Sequence, residues 1–214
     1  MTVRTLDLRL IVVTDRALAA PRELFDVVRL SLEGGAPAVQ LRDKGATARE
    51  LYEQALQLRA ITAEYGALLF INDRLDIALA AGADGVHLGP HDLPLAAARQ
   101  AAPPPFLIGI STDDPVTAAR AQAEGADYIG CGAVFGTTTK AEVRGERIGP
   151  EGLAAVARAV TIPVVGIGGI TAENAAELGA TGAAGVAVVG ALMRAEEPAS
   201  VVRDLLRTFT PALR

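Results

Sequence analysis

Three observations predict an α/β fold built on a parallel sheet. Four stretches repeat one pattern: GGAPAVQL at 34–41, AGADGVHL at 81–88, EGADYIGC at 124–131 and TGAAGVAV at 181–188. Each sets glycine and alanine just before a short apolar run, as where a helix stops in the left-handed conformation and a buried strand begins. Filling the gaps yields eight strand candidates that alternate with helical patterns, and strict alternation implies parallel strands. Polar and charged residues collect where those strands would end. Eight units within 214 residues predict a closed (βα)8 TIM barrel near the small end of its range, with 1–214 as a single domain. A doubly wound open sheet is the rival. It calls for G-x-G-x-x-G after the first strand, where the chain reads RALAAPREL.

In chain order, strands are expected at 8–14, 38–43, 68–72, 85–89, 106–110, 127–134, 162–167 and 185–190, with ends uncertain by a few residues. Each run is short and rich in Val, Ile or Leu, as a strand covered on both faces requires. Pro21 opens PRELFDVVRL at the first helical position. Thr47 caps a helix that carries Leu51, Ala55, Leu58 and Ile61 on one face. A helical run follows Asp73, and further patterns cover 94–101, 114–124, 150–160, 172–179 and 198–208.

Composition narrows the function. Half the residues are hydrophobic and 4% aromatic, so the core is built of Ala, Val, Leu and Ile. A net charge of −5 argues against a broad nucleic-acid surface. It leaves room for a small anion held by a few converging cations. Cys131 is the single cysteine, which excludes an intrachain disulfide framework and fits a reducing compartment. The stretch MTVRTLDLRLIVVTD is too short in its apolar part for a secretory signal, and no run of about 18 apolar residues exists to span a membrane. A soluble cytoplasmic protein is expected.

AVQLRDK at 38–44 begins as a buried strand and ends in charge. Side chains alternate with a period of two, so Gln40, Arg42 and Lys44 share one face while Val39, Leu41 and Asp43 share the other. In a barrel, active sites lie at the C-terminal strand ends. Those ends carry Thr14-Asp15, Gln40, Arg42 and Lys44, Asn72-Asp73, His91-Asp92, Ser111, Thr137-Thr138-Thr139-Lys140, Gly168-Gly169 and Val189-Gly190. Asp73 and Asp92 follow neighbouring strands and offer hard oxygens, a set that suits Mg²⁺ with substrate phosphates. Arg42, Lys44 and Lys140 add a planar fork and two point charges for phosphate oxygens. Cations beside a metal site point to a diphosphate leaving group. Glycines after the seventh and eighth strands match the recurring backbone phosphate site of these barrels.

Each residue also has a plainer use. Asp73 and Asp92 could be helix caps, and Arg42 and Lys44 could pair with them structurally. Lys140 could be a solvated lysine, its threonine neighbours turn residues, Asn72 a loop holder and the glycines mere turns. Their convergence at one end of one barrel favours a site. Cys131 and His87 lie within strands and read as packed interior residues, and His91 stays uncommitted. No H-E-x-x-H, C-x-x-C or G-x-S-x-G is present.

The chain resembles the thiamine phosphate synthase family over nearly its whole length. The matching stretches are VTD at 13–15, QLRDK at 40–44, IND at 71–73, GVHLG–D from 85 to 92, GIS at 109–111, VFGTTTK at 134–140, VGIGGI at 165–170 and GVAVVGAL at 185–192. The resemblance implies a Mg²⁺-using transferase that couples 4-amino-2-methyl-5-hydroxymethylpyrimidine diphosphate to a thiazole phosphate and releases diphosphate. It implies that Gln40 contacts the pyrimidine, and that Arg42, Lys44, Asn72, Ser111 and Lys140 contact the pyrimidine diphosphate. It implies that Asp73 and Asp92 hold Mg²⁺, and that Thr137, Thr139, Gly169, Val189 and Gly190 hold the thiazole phosphate. Leu41, Asp43 and Thr138 complete the expected binding set, with Arg42, Lys44 and Lys140 as its catalytic members.

The sequence departs from the family at Pro90, where glutamine is usual, at Asp113, where many relatives carry histidine, and at Gly190, where serine is common. The expected partners are the two small-molecule substrates, with no nucleic acid and no membrane, and self-association left open. The alternatives are a thiazole tautomerase-like relative, a phosphosugar isomerase or epimerase, and a non-catalytic phospholigand-binding barrel.

Overall fold

The computed structural model describes residues 6–136 and 147–211. Its elements run β1 (Leu10–Val13), α1 (Arg16–Ala19), α2 (Leu24–Glu33), β2 (Ala38–Leu41), α3 (Ala48–Glu64), β3 (Leu68–Asn72), α4 (Leu75–Ala80), β4 (Gly85–Leu88), α5 (Leu95–Ala101), β5 (Leu107–Ser111), α6 (Pro115–Ala123), β6 (Tyr128–Cys131), α7 (Gly149–Ala159), β7 (Val164–Ile167), α8 (Ala176–Gly179), β8 (Gly185–Val188), α9 (Gly190–Met193) and α10 (Pro198–Thr208). The eight strands are parallel, each beside its neighbours in sequence, and β8 closes on β1 with Leu10 opposite Val186. The expected barrel is therefore present, and every expected strand overlaps an observed one.

Period-two alternation divides the strand residues between two cores. Outward residues such as Val12, Val39, Leu41, Leu69, Val86, Ile108, Ile129 and Val164 pack against the helices. Inward residues, among them Ile11, Val13, Ala38, Leu68, Phe70, Tyr128, Val165 and Ala187, fill the barrel. Aliphatic residues dominate both, as the low aromatic content predicts. Two large rings in the interior need gaps opposite them. A Cβ on Gly109 would stand 2.1 Å from Tyr128 Cζ, and one on Gly130 would stand 2.7 Å from His87 Cε1.

The Gly-Ala repeats act as helix stops and do one thing more. Gly82 and Gly125 take positive φ (63° and 96°), and the following Ala83 and Ala126 donate N–H bonds back to Ala78 and Ala121. The next residue is an aspartate in both. Asp84 accepts from Leu69 N at 2.7 Å and pairs with Arg59 at 2.6 Å. Asp127 accepts from Ile108 N at 2.7 Å and pairs with Arg99 at 2.5 Å. Each therefore ties the start of its own strand to the start of the preceding strand and to a helix.

Two local expectations change. Pro21 does not open α2: the helix begins at Leu24, because Glu23 is still extended (φ −69°, ψ 133°). Asp15 instead caps the short α1 by accepting from Leu18 N at 3.1 Å. The 172–179 segment is helical only over Ala176–Gly179. There the Asn174 side chain accepts from Thr171 N and donates to Gly169 O, each at 2.9 Å, and holds a turn before the helix. Thr47 meets its expectation, with a reciprocal capping box to Glu50.

Candidate active site

The C-terminal mouth of the barrel holds an open cleft lined by inward side chains, including Gln40, Arg42, Asn72, His87, Ser111, Tyr128 and Val189. The alternation read from AVQLRDK thus delivers Gln40 and Arg42 to the cleft. Gln40 is buried, and its Nε2 donates to Asn72 Oδ1 at 3.2 Å. The Gln40 Oε1 and Asn72 Nδ2 atoms remain as an acceptor and a donor for a ligand. Buried Thr14 secures the end of β2: its Oγ1 accepts from Arg42 N at 2.8 Å and donates to Arg42 O at 3.1 Å.

Asp73 and Asp92 meet at the rim. Asp73 follows β3 in the left-handed conformation (φ 65°), the one non-glycine residue so placed among the described residues. Its N–H donates to His87 O at 2.8 Å. Strain of this kind costs energy and persists where the surroundings enforce it. Neither aspartate caps a helix: the capping positions of α4 and α5 are Arg74 and Pro94. Asp92 folds back to accept from Gly89 N at 2.6 Å. Burial pushes the Asp73 carboxyl up to about 6, and a hydrogen bond to Asp92 and its charge add to the rise, while Lys44 and Arg42 oppose it. A carboxyl with raised proton affinity beside a second carboxylate is a site from which a divalent cation displaces the proton. Among the described residues no group of three or more His, Cys, Asp and Glu is arranged around a metal. Two carboxylates with the remaining positions left to water and phosphate oxygens fit Mg²⁺, and do not fit an all-protein cage.

Other expected residues fall elsewhere. Leu41 points outward into the helix-facing core and is fully buried there, so its side chain cannot meet a ligand in the cleft. The Asp43 carboxylate is committed to structure. It accepts from Gln54 Nε2 at 3.2 Å and Gly45 N at 3.3 Å, and it pairs with Arg16 at 3.5 Å. Both placements follow from parity, since residues 39, 41 and 43 share the face opposite 40 and 42. Lys44 is exposed beyond the strand end and acts on Asp73 through its charge. Thr137, Thr138, Thr139 and Lys140 lie outside the described residues. Gly169 is exposed after β7 with φ 67°, and a Cβ there would stand 2.6 Å from Gly136 O. Its backbone conformation and its packing both call for glycine. Val189 precedes α9 and Gly190 begins it. The first N–H groups of that helix lack intrahelical acceptors.

Sequence reasoning missed Tyr128 and treated His87 as interior only. Both line the cleft. The signal was present in Gly109 and Gly130, since glycine inside a strand often marks the close approach of another group.

A family model described as thiamine monophosphate synthase matches residues 10–192. The chain belongs to the thiamine monophosphate synthase family. The family's thiamine-phosphate synthase of Pyrococcus furiosus is 48% identical over 206 residues, covering 96% of this chain and 97% of the relative. That of Methanoculleus marisnigri is 46% identical over 196 residues, covering 92% of both. A solved structure of thiamine phosphate pyrophosphorylase from Pyrococcus furiosus superposes with a TM-score of 0.86 at 45% identity, over 94% of this chain and 95% of that one. A 3-hexulose-6-phosphate synthase structure superposes with a TM-score of 0.68 at 19% identity, over 95% of this chain and 100% of that one, which shows the shared fold alone. Family membership and the barrel stand as expected from the sequence.

Proposed function

We propose that this chain is a transferase that joins 4-amino-2-methyl-5-hydroxymethylpyrimidine diphosphate to a thiazole phosphate, with Mg²⁺, to give thiamine phosphate and diphosphate. The observation that carries the chemistry is the pairing of Asp73 and Asp92 beside Arg42 at the mouth of the cleft. The bond between the pyrimidine methylene carbon and the diphosphate oxygen breaks, and diphosphate leaves with the electron pair. The electron-rich aminopyrimidine stabilises the cation left behind. The thiazole nitrogen then supplies the pair for the new C–N bond.

Each residue has a task in that sequence. Gln40 and Asn72, already hydrogen-bonded to one another, orient the pyrimidine and its diphosphate. Arg42 and Lys44, with Lys140, stabilise charge as it builds on the leaving group. Asp73 and Asp92 hold Mg²⁺, which when bound neutralises diphosphate oxygens. Ser111 contacts the same diphosphate. Val189 and Gly190 offer backbone N–H groups to the thiazole phosphate, joined by Gly169, Thr137 and Thr139. Bond formation needs positioning more than a strong base. That accounts for a cleft with no activated nucleophile among the described residues. The two substrates are the partners, and a cytoplasmic site of action suits a chain in which no described helix is long and apolar enough to cross a membrane.

The deciding experiment incubates the protein with both phosphorylated halves and Mg²⁺ and detects thiamine phosphate by mass. A parallel arm follows isomerisation of the non-aromatic thiazole phosphate tautomer. Asp113 is exposed, and a solvated carboxylate is a poor general base near neutral pH. Asp113→Asn is expected to keep coupling within about tenfold, less than the roughly 10²–10⁴-fold lost with a general base. Absent coupling in the parent, with isomerisation that disappears in Asp113→Asn, would replace the synthase with a tautomerase.

A further inference from the structure

His87, Ser111 and Tyr128 come from consecutive strands, β4, β5 and β6, and all three line the cleft. Tyr128 Oη lies 2.9 Å from His87 Nδ1, and Ser111 Oγ lies 2.8 Å from His87 Nε2. The imidazole is thus the middle link between a phenol and an alcohol. Its position is enforced from both sides, because Gly109 makes room for the Tyr128 ring and Gly130 for the His87 ring.

The direction of the hydrogens follows from burial. Tyr128 is 1% exposed, and among the described residues His87 Nδ1 is the one hydrogen-bond partner of its hydroxyl. Burial also holds the phenol well above its usual titration range, so the O–H stays protonated. A buried O–H with no acceptor is costly to leave unmade. Tyr128 therefore donates to Nδ1, and Nδ1 carries no proton. The neutral ring then holds its hydrogen on Nε2 and donates it to Ser111 Oγ. Having accepted from His87, Ser111 turns its own hydrogen toward the cleft, where Arg42 and Asn72 also stand. With the other tautomer, Ser111 would donate back to Nε2 and present lone pairs to an anion.

We infer that Tyr128, acting through His87, makes the Ser111 hydroxyl a hydrogen-bond donor to an oxygen of the pyrimidine diphosphate. Tyr128 and His87 are positioning residues in this scheme, and Ser111 is the group that touches substrate. The inference rests on the proposed reaction for the identity of the anion, but not for the direction of the chain. A donor aimed at an oxygen that gains charge during bond breaking assists departure. A serine presenting lone pairs would oppose it.

The first test needs no substrate. The chain has two histidines, His87 and His91. In a His91→Gln variant, a long-range proton–nitrogen correlation spectrum at neutral pH reads the His87 ring alone. The expected result is a proton on Nε2 and none on Nδ1. A proton on Nδ1 would overturn the inference. The second test is kinetic. Tyr128→Phe keeps the ring and removes the donor. It is expected to raise KM for the pyrimidine diphosphate or lower kcat/KM by roughly two- to tenfold, the range for one hydrogen bond, and to let the His87 ring sample both tautomers. The same change in a Ser111→Ala background is expected to have no further kinetic effect, because the chain has lost its end. Equal losses in both backgrounds would show that Tyr128 acts by another route and overturn the positioning role. If the parent forms no thiamine phosphate, the reaction reading falls, and the spectrum still decides whether Tyr128 sets the His87 proton.

Discussion

Asp73 carries the sharpest residue-level consequences. Its carboxyl is raised to about 6 by burial and by Asp92. A carboxyl raised above its unfolded value binds its proton more tightly in the folded chain. That contribution to stability is fully present below about pH 3.8 and is lost as pH rises through about 6. Asp73→Asn is therefore expected to be more stable than the metal-free parent above about pH 6, with the gap closing toward about pH 4, as read by urea denaturation across that range. Mg²⁺ competes for the same carboxyl, so its affinity should rise as pH climbs through about 6 and level off above it. Titration calorimetry with Mg²⁺ and diphosphate checks the sign, and an affinity that does not change with pH would contradict the two-carboxylate site. Asp73→Ala and Asp92→Ala are each expected to lower turnover by at least about 10²-fold, since a metal supplies several kcal/mol of charge stabilisation. Circular dichroism should stay parental because both residues lie on the rim. Undiminished turnover in excess chelator would remove the metal from the scheme. At this scale the sequence was informative about residue type and parity and silent about commitments. Asp43 and Asp73 both follow an apolar run. One is occupied by Gln54, Gly45 and Arg16, and the other by a second carboxyl.

Among the elements, the repeated Gly-Ala-Asp units define the ties at the N-terminal ends of the strands. Asp127 satisfies Ile108 N and Arg99 together, and Ile108 is fully buried. Asp127→Ala leaves a buried N–H without its acceptor, and the expected loss is about 1–3 kcal/mol. Asp84→Ala, which frees Leu69 N in the same way, should cost a similar amount. Denaturant midpoints test both, and turnover per folded molecule should stay parental because these aspartates sit at the end of the barrel opposite the cleft. A large activity loss at full stability would break the separation of the two ends. The repeat was legible as glycine, stop and strand. The aspartate's second role was not, because its partners lie on the preceding strand and on α3 or α5. Likewise α1 escaped notice, since a four-residue helix leaves too little periodicity to read.

On the scale of the whole molecule, closure of the barrel converts eight separate strand ends into one ring. A ligand that bridges several of those ends binds only the folded chain. Mg²⁺ with diphosphate should therefore raise the melting temperature, by an amount equivalent to about 2.7 kcal/mol at a hundredfold excess over Kd. Differential scanning should show the rise in the parent and its loss in Asp73→Ala. An equal rise in both would place the anion elsewhere. The amino-acid sequence by itself determined the barrel, the order of its strands, the helix stops and the side chains sent inward from each strand. These follow from period-two alternation, glycine's access to positive φ and the short links between consecutive elements, all of which act within a few residues. Tertiary structure alone decided that Asp73 and Asp92 stand side by side, that Leu41 and Asp43 serve the outer packing, and that Tyr128, His87 and Ser111 form one chain. Those outcomes depend on desolvation and on contact across strands. Both arise only when the sheet closes and removes water from groups far apart in sequence.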